Sequence, residues 1–256
     1  MPQAISHPTN SSIRYVRHVC IAFRELSDAI GVGSDGLARL LNSGCIPQPT
    51  YRVYSNGAVV SAVRRLGEPV GASLDYYSPA VIWWLRRAST LAPSLTDAAL
   101  PDALKRWLKS DLSAALLSAA NDAHRYKDAF SWSHLLDQKQ IIESKLEEEI
   151  NKIWDDWMSG AWAVCLRRFD GYHLVTKEIE RARIASITNN GERGVLDRQS
   201  RLQLFDAISR LDSVILPFAP HERPHGTPGL FIDAMLERYQ LLCPTSEHSI
   251  DWRVAC

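Results

Sequence analysis

This sequence lacks several common features, and each absence excludes a class. No apolar run reaches the ~18 residues a spanning helix needs, so a membrane span is not expected. There is no charge excess: Lys plus Arg number 29 and Asp plus Glu number 29. A dedicated nucleic-acid binder usually carries a basic surplus, so neutrality counts against that role. Cysteines are few and scattered (Cys20, Cys45, Cys165, Cys243 and Cys256), with no C-x-x-C pair. That argues against a disulfide framework or a Cys-rich zinc site. The opening MPQAISHPTNSS has no basic head followed by an apolar stretch, so no secretory signal is expected. Gly191 and Gly194 in NNGERG lack the strand-then-helix setting of a phosphate loop and read as a turn. No internal repeat or hairpin signature is read. The expectation is a cytoplasmic protein with reduced thiols.

What remains is an ordinary globular composition, 46% apolar and 23% charged, with helical patterns throughout. Residues 1–12 read as a disordered N-terminus. From Ile13 to Leu66, seven Arg stand against three acidic residues, a local basic excess. Within that stretch, Phe23, Leu26, Ala29 and Ile30 fall at helical spacing and Gly31 breaks the run. Ser34 is placed to cap a second helix carrying Leu37, Leu40 and Leu41, which stops at Gly44. Two short helices about a tight turn make a helix-turn-helix, whose second helix can enter a DNA major groove. Pro47 and Pro49 forbid a helix beyond it, so Tyr51–Tyr54 is expected to be extended, with another short helix over 58–66.

The body, 67–243, reads as helical. Pro79 opens an aromatic-rich helix, VIWWLRRASTLA. An Ala-rich helix is expected from Asp111 to about Asp137. Ile142, Leu146, Ile150, Ile153 and Trp157 form the stripe of another, with Glu143, Glu147, Glu148 and Glu149 outward. AWAVCLRRF fits a strand or a short helix equally. Further helices are expected over Tyr172–Ile187, Arg198–Leu216 and Gly229–Leu242, then a flexible tail, 244–256. The predicted fold is mostly α: a small helix-turn-helix head over 13–66 joined to a larger helical body.

Two resemblances follow from particular residues. LARLLNSGCIPQPTYRVY, from Leu37 to Tyr54, resembles the DNA-binding head of MerR-type regulators, in which a Gly-apolar-apolar turn and a Pro precede Tyr-Arg-x-Tyr. The match covers under a fifth of the chain. It departs from the pattern in a second helix with only Arg39 as a cation, and in lacking a long dimerising helix directly after the head. LDYYSPAVIWWLRRA, SGAWAVCLRR, VTKEIERARI and LPFAPHERPHGTPG resemble an uncharacterised bacterial family associated with natural-product biosynthesis. That resemblance implies a metabolic setting and no reaction, cofactor or catalytic residue.

The candidate contact residues of the head are Arg39, Tyr51, Arg52 and Tyr54, with Arg64 and Arg65. Arg reaches guanine edges or phosphates, and Tyr donates to phosphate. Set against this, the Tyr pair would pack between helices and the Arg residues would be solvated. His221-Glu222-Arg223-Pro224-His225 spells H-E-x-x-H, the zinc-protease string. Pro224 breaks the helix that string requires, so an ordered loop whose charges cap neighbouring helices is expected, even with His173 considered as a third ligand. Cys165, before Arg167 and Arg168, has the cations that activate a thiol but no diagnostic His, which favours a core role. Trp83 and Trp84 would line a pocket or, more commonly for Trp, fill gaps between helices. Arg181, Arg183, Arg198, Arg201 and Arg210 alternate with Glu178, Glu180 and Asp206 as a mixed-charge surface.

The sequence implies no metal and no cofactor. Its leading functional expectation is an accessory protein of bacterial specialised metabolism, with a protein or small-molecule partner. A DNA-binding regulator using the head is the alternative. An enzyme using Cys165 or the 221–225 loop is the third reading.

Overall fold

The computed structural model describes residues 8–122 and 130–241. In chain order the elements are α1 (Pro8–Val19), β1 (Ile21–Ala22), α2 (Leu26–Ile30), α3 (Ser34–Asn42), β2 (Tyr51–Tyr54), β3 (Val59–Val60), β4 (Arg65–Leu66), β5 (Ser73–Tyr77), α4 (Pro79–Leu91) and α5 (Leu100–Asn121). They continue with β6 (Leu136–Asp137), β7 (Gln140–Ile141), α6 (Glu143–Met158), α7 (Ala161–Cys165), α8 (Gly171–Thr188), α9 (Arg198–Val214), a π-helical turn (Gly229–Asp233) and α10 (Ala234–Arg238). The chain is mostly helical and forms two compact units. One comprises 1–106, 152–169 and 218–224; the other comprises 107–151, 170–217 and 225–256.

In the first unit the paired helices stand where the sequence puts them. α3 stops because Gly44 takes φ +67°, a conformation a β-carbon disfavours, and this lets Cys45 N–H return to the Leu40 carbonyl at 3.2 Å. Gly33, not Ser34, occupies the N-cap position of α3. Residues 8–12, expected within a disordered terminus, are the start of α1.

The chief departure is an antiparallel sheet of order β1-β5-β2-β3-β4. It replaces the helix expected over 58–66, and β5 lies beyond residue 66, where the head was expected to end. Asn56-Gly57 turns the chain between β2 and β3, with Tyr54 N–H bonded to Ala58 O at 2.9 Å. Asn-Gly is a strong hairpin signal, and β-branched Val59 and Val60 suit a pleated surface. Tyr51 and Val53 point into the core, while Arg52 and Tyr54 alternate outward. Val16, Tyr51, Val53, Val59, Tyr76, Val164 and Phe218 pack together as part of one core.

The second unit is built around α8 and α9. Leu204, Ile208, Leu211, Ile184 and Ile232 belong to its core. Gly171 opens α8 where a β-carbon would lie 2.4 Å from the Asp111 carbonyl oxygen. Its amide donates to the Asp111 carboxylate, so only glycine permits this approach. The expected helix from Asp111 ends at Asn121; 123–129 lie outside the described residues, and β6 and β7 form a two-stranded hairpin. Leu146, Ile150, Ile153 and Trp157 are buried along α6, as their spacing requires. In AWAVCLRRF, Ala161–Cys165 is the short helix α7 and Leu166 after it is extended. The last expected helix is a π-helical turn followed by α10, and the tail 244–256 lies outside the described residues.

Candidate functional site

α3 is the element that would read DNA, and its exposed residues are Ser34, Asp35, Ala38, Leu41 and Asn42. None is a cation. Arg39, the helix's one basic residue, points elsewhere: its Nε meets Asp97 Oδ1 at 2.6 Å, and its guanidinium also donates to the Leu95 carbonyl. Arg52 is engaged likewise. It sits opposite Asp75 on β5, pairs with it at 3.3 Å, and donates to Gln48 Oε1 at 2.8 Å. Tyr51 is buried and Tyr54 half-buried. Arg65 pairs with Glu68 at 3.0 Å, while Arg64 is exposed in the β3–β4 turn.

The most concentrated polar chemistry of the first unit lies under this sheet. Glu222 is 2% exposed, and its carboxylate accepts from Tyr51 Oη at 2.7 Å and from the Ser61 hydroxyl. Burial pushes the Glu222 carboxyl up, opposed by those two hydrogen bonds and by the charge of Arg64. Beside it, His221 Nδ1 lies 3.0 Å from Ser12 Oγ on α1. The His221 side chain is 5% exposed, and its Nε2 has no hydrogen-bond partner, standing 3.9 Å from Glu222 Oε1. Burial and the Arg64 charge lower the imidazole to about 4. The Tyr15 hydroxyl, edge-on to Tyr51, is buried beside the Phe218 backbone. Phe218, at the head of the loop, has φ +63°. An unpartnered buried ring nitrogen, shifted acidities and a left-handed bulky residue are features of functional sites and of structural polar networks alike.

As the break at Pro224 implies, H-E-x-x-H forms no α-helix: Arg223–His225 is a short 3-10 turn, and His225 is exposed. The expected helix capping is not found. Glu222 caps no helix; its partners are two hydroxyls. His173, weighed as a third ligand, hydrogen-bonds Asp170 Oδ1 at 2.7 Å. Among the described residues no group of three His, Cys, Asp or Glu could hold a metal ion. The sequence exposed His221 and Glu222 through their motif. It gave no sign of Ser12, Tyr15 or Ser61, which are ordinary residues brought in by α1 and the β3–β4 turn.

The aromatic candidates are core. Trp84 is fully buried, donates Nε1–H to Cys45 O at 2.9 Å, and sits edge-on to Trp154, Trp157 and Phe169. Trp83 is half-buried. Half-buried Cys165 directs its thiol to Ala161 O, one turn back in α7.

In the second unit, two residues expected on a mixed-charge surface are enclosed: Glu178 is 6% and Glu180 0% exposed, and Lys177 beside them is 5% exposed. Glu178 accepts from Arg181 at 3.1 Å and from Ser131 at 2.8 Å, with Lys177 at 3.3 Å. Burial alone would raise its carboxyl, but Lys177 and Arg181 together hold it below the usual value. Arg183 joins Glu180 at 2.6 Å to Asp206 at 3.3 Å, and Arg210 pairs with Asp206 at 3.1 Å. These pairings compensate the enclosed carboxylates and tie α8 to α9, although the buried Arg181 Nε has no hydrogen-bond partner.

A mostly helical chain with a small antiparallel sheet is the class these observations define. Residues 104–240 match a family of unknown function, DUF6058, over more than half of the chain, and the chain belongs to that family. No curated protein and no solved structure matches it. Among the described residues no helix is long and apolar enough to cross a membrane.

Proposed function

We propose that this chain is an accessory binding protein of bacterial specialised metabolism, whose MerR-like head serves as a contact module and does not read base sequence. The observation that carries the reading is the exposed face of α3: Ser34, Asp35, Ala38, Leu41 and Asn42, with no cation, while Arg39 is tied to Asp97 and Leu95. Base readout needs donors aimed at base edges, and positioning needs cations at phosphates. A small, nearly uncharged face suits a protein or small-molecule partner better. The metabolic setting rests on the resemblance of its aromatic and Arg-rich segments to the biosynthesis-associated family. Deleting the gene tests both parts. The expected result is altered metabolite output with neighbouring transcripts unchanged; a change in those transcripts would favour a regulator.

A regulator is the second reading, and one observation favours it. Arg14 and Arg17 on α1, and Arg64 in the β3–β4 turn, are exposed with no ion-pair partner among the described residues. They could hold phosphates without reading sequence. Nothing comparable supports an enzyme. The Cys165 thiol is spent on its own helix, and His221 and Glu222 are enclosed.

A further inference from the structure

Of the seven Arg between Ile13 and Leu66, four have a carboxylate partner: Arg24 with Glu25, Arg39 with Asp97, Arg52 with Asp75 and Arg65 with Glu68. Arg64 lies in the β3–β4 turn, where its charge acts on Glu222 and His221. The remaining two, Arg14 and Arg17, stand a turn apart on α1, with His18 beside them. All three are exposed, and none joins an ion pair among the described residues.

The helix itself explains part of this arrangement. Its inner face buries Ser12 and Val16, which turns Asn10, Arg14, Arg17 and His18 outward. Cations in a last helical turn complement the macrodipole, and that accounts for Arg17 and His18. It does not account for Arg14, a turn earlier, and α1 has no Asp or Glu to offset it. Like charges a turn apart on a helix repel each other, and an anion bridging them converts that repulsion into attraction.

Asn10, Ile13, Arg14, Arg17 and His18 line one open groove of about 510 Å³. Small-ligand sites commonly span ~300–1,000 Å³ and are lined chiefly by apolar groups. Here Ile13 is the one apolar residue of the five, so the matching ligand is charged. A guanidinium is a planar fork that meets phosphate oxygens two at a time. Arg14 and Arg17 can therefore each seat one phosphoryl group, leaving the N–H donors of Asn10 and His18 at the rim. A duplex matches poorly, because its affinity grows with the number of phosphates neutralised. This face offers two Arg about 5 Å apart along the helix axis, and α3 adds no exposed cation.

We propose that the outer face of α1 binds a small molecule carrying a diphosphate, with Arg14 and Arg17 forked onto its two phosphoryl groups. The inference rests on the reading of the chain as a binding protein and gives it a ligand class, on residues distinct from the α3 face.

Isothermal titration calorimetry of inorganic pyrophosphate into the full chain, in magnesium-free buffer at about 50 mM salt, tests this. Saturable binding is expected, weakened at least about tenfold by Arg14→Ala and by Arg17→Ala. Arg17→Lys keeps the charge and loses the fork, so its affinity should fall between wild type and Arg17→Ala. It also keeps the test open should α1 tolerate truncation poorly. Arg24→Ala, which removes an exposed Arg of the same unit outside the groove, should leave binding unchanged. No binding at about 1 mM pyrophosphate would overturn the site. So would an equal loss in Arg24→Ala, wild-type affinity in Arg14→Ala, or a duplex oligonucleotide that displaces pyrophosphate at a lower concentration. The first three results leave the accessory reading standing, since that reading answers to the gene deletion; the last would favour a regulator.

Discussion

Glu222 shows how much one enclosed side chain can hold. Removing it leaves the Tyr51 hydroxyl and the Ser61 hydroxyl without their acceptor in a buried setting, so Glu222→Ala should cost about 3 kcal/mol by urea denaturation. Glu222→Gln keeps an acceptor and should cost less. The two titrating groups pull stability in opposite directions. His221 falls from 6.5 unfolded to about 4 folded, so its contribution is present above pH 6.5 and lost as pH falls toward 4. That loss is on the order of 1–2 kcal/mol between pH 7 and 5. Glu222 is raised above 4.5, so it favours the folded state in acid and loses that favour as pH rises. Thermal melts across this range should show a flatter acid response in His221→Gln and a steeper one in Glu222→Gln. The opposite order would contradict the assignment. Arg39 makes a similar point about roles: bound to Asp97 and Leu95, it should register in stability on Arg39→Ala, by about 1 kcal/mol, and not in DNA affinity.

Among the elements, long amphipathic helices were legible and short strands were not. The stripe Leu146, Ile150, Ile153 and Trp157 in α6 repeats often enough to declare itself, and α2 and α3 are punctuated by glycines. β1, β3 and β4 have two residues each, too few for a period-2 pattern, and only partners distant in sequence make them strands. Asn56-Gly57 marks one hairpin, and the apolar spacing of 58–66 reads as a helix only where that turn is set aside. The candidate site divides the same way. His221 and Glu222 announced themselves by a motif, yet what they do depends on Ser12 and Ser61, more than 150 residues away. Lys177, Glu178 and Glu180 look like surface because charge normally is; their burial depends on the surroundings of α8. Gly171 is the element-scale test. Gly171→Ala drives a β-carbon into the Asp111 carbonyl and should cost about 2–3 kcal/mol, read as a lowered urea midpoint. A shift under about 0.5 kcal/mol would mean that α8 can slide away.

For the whole molecule, the balance of 29 basic and 29 acidic residues is more than bookkeeping. Cations that could have faced a polyanion, Arg39, Arg52 and Arg65, each pair with a carboxylate of the same chain at the surface. The most direct measurement is fluorescence anisotropy of a labelled duplex from the gene's own promoter, titrated with purified protein at about 50 mM and 200 mM salt. The account predicts no saturable binding at either salt. Tight binding at the lower salt that collapses at the higher, and that weakens on Arg39→Ala, would contradict it.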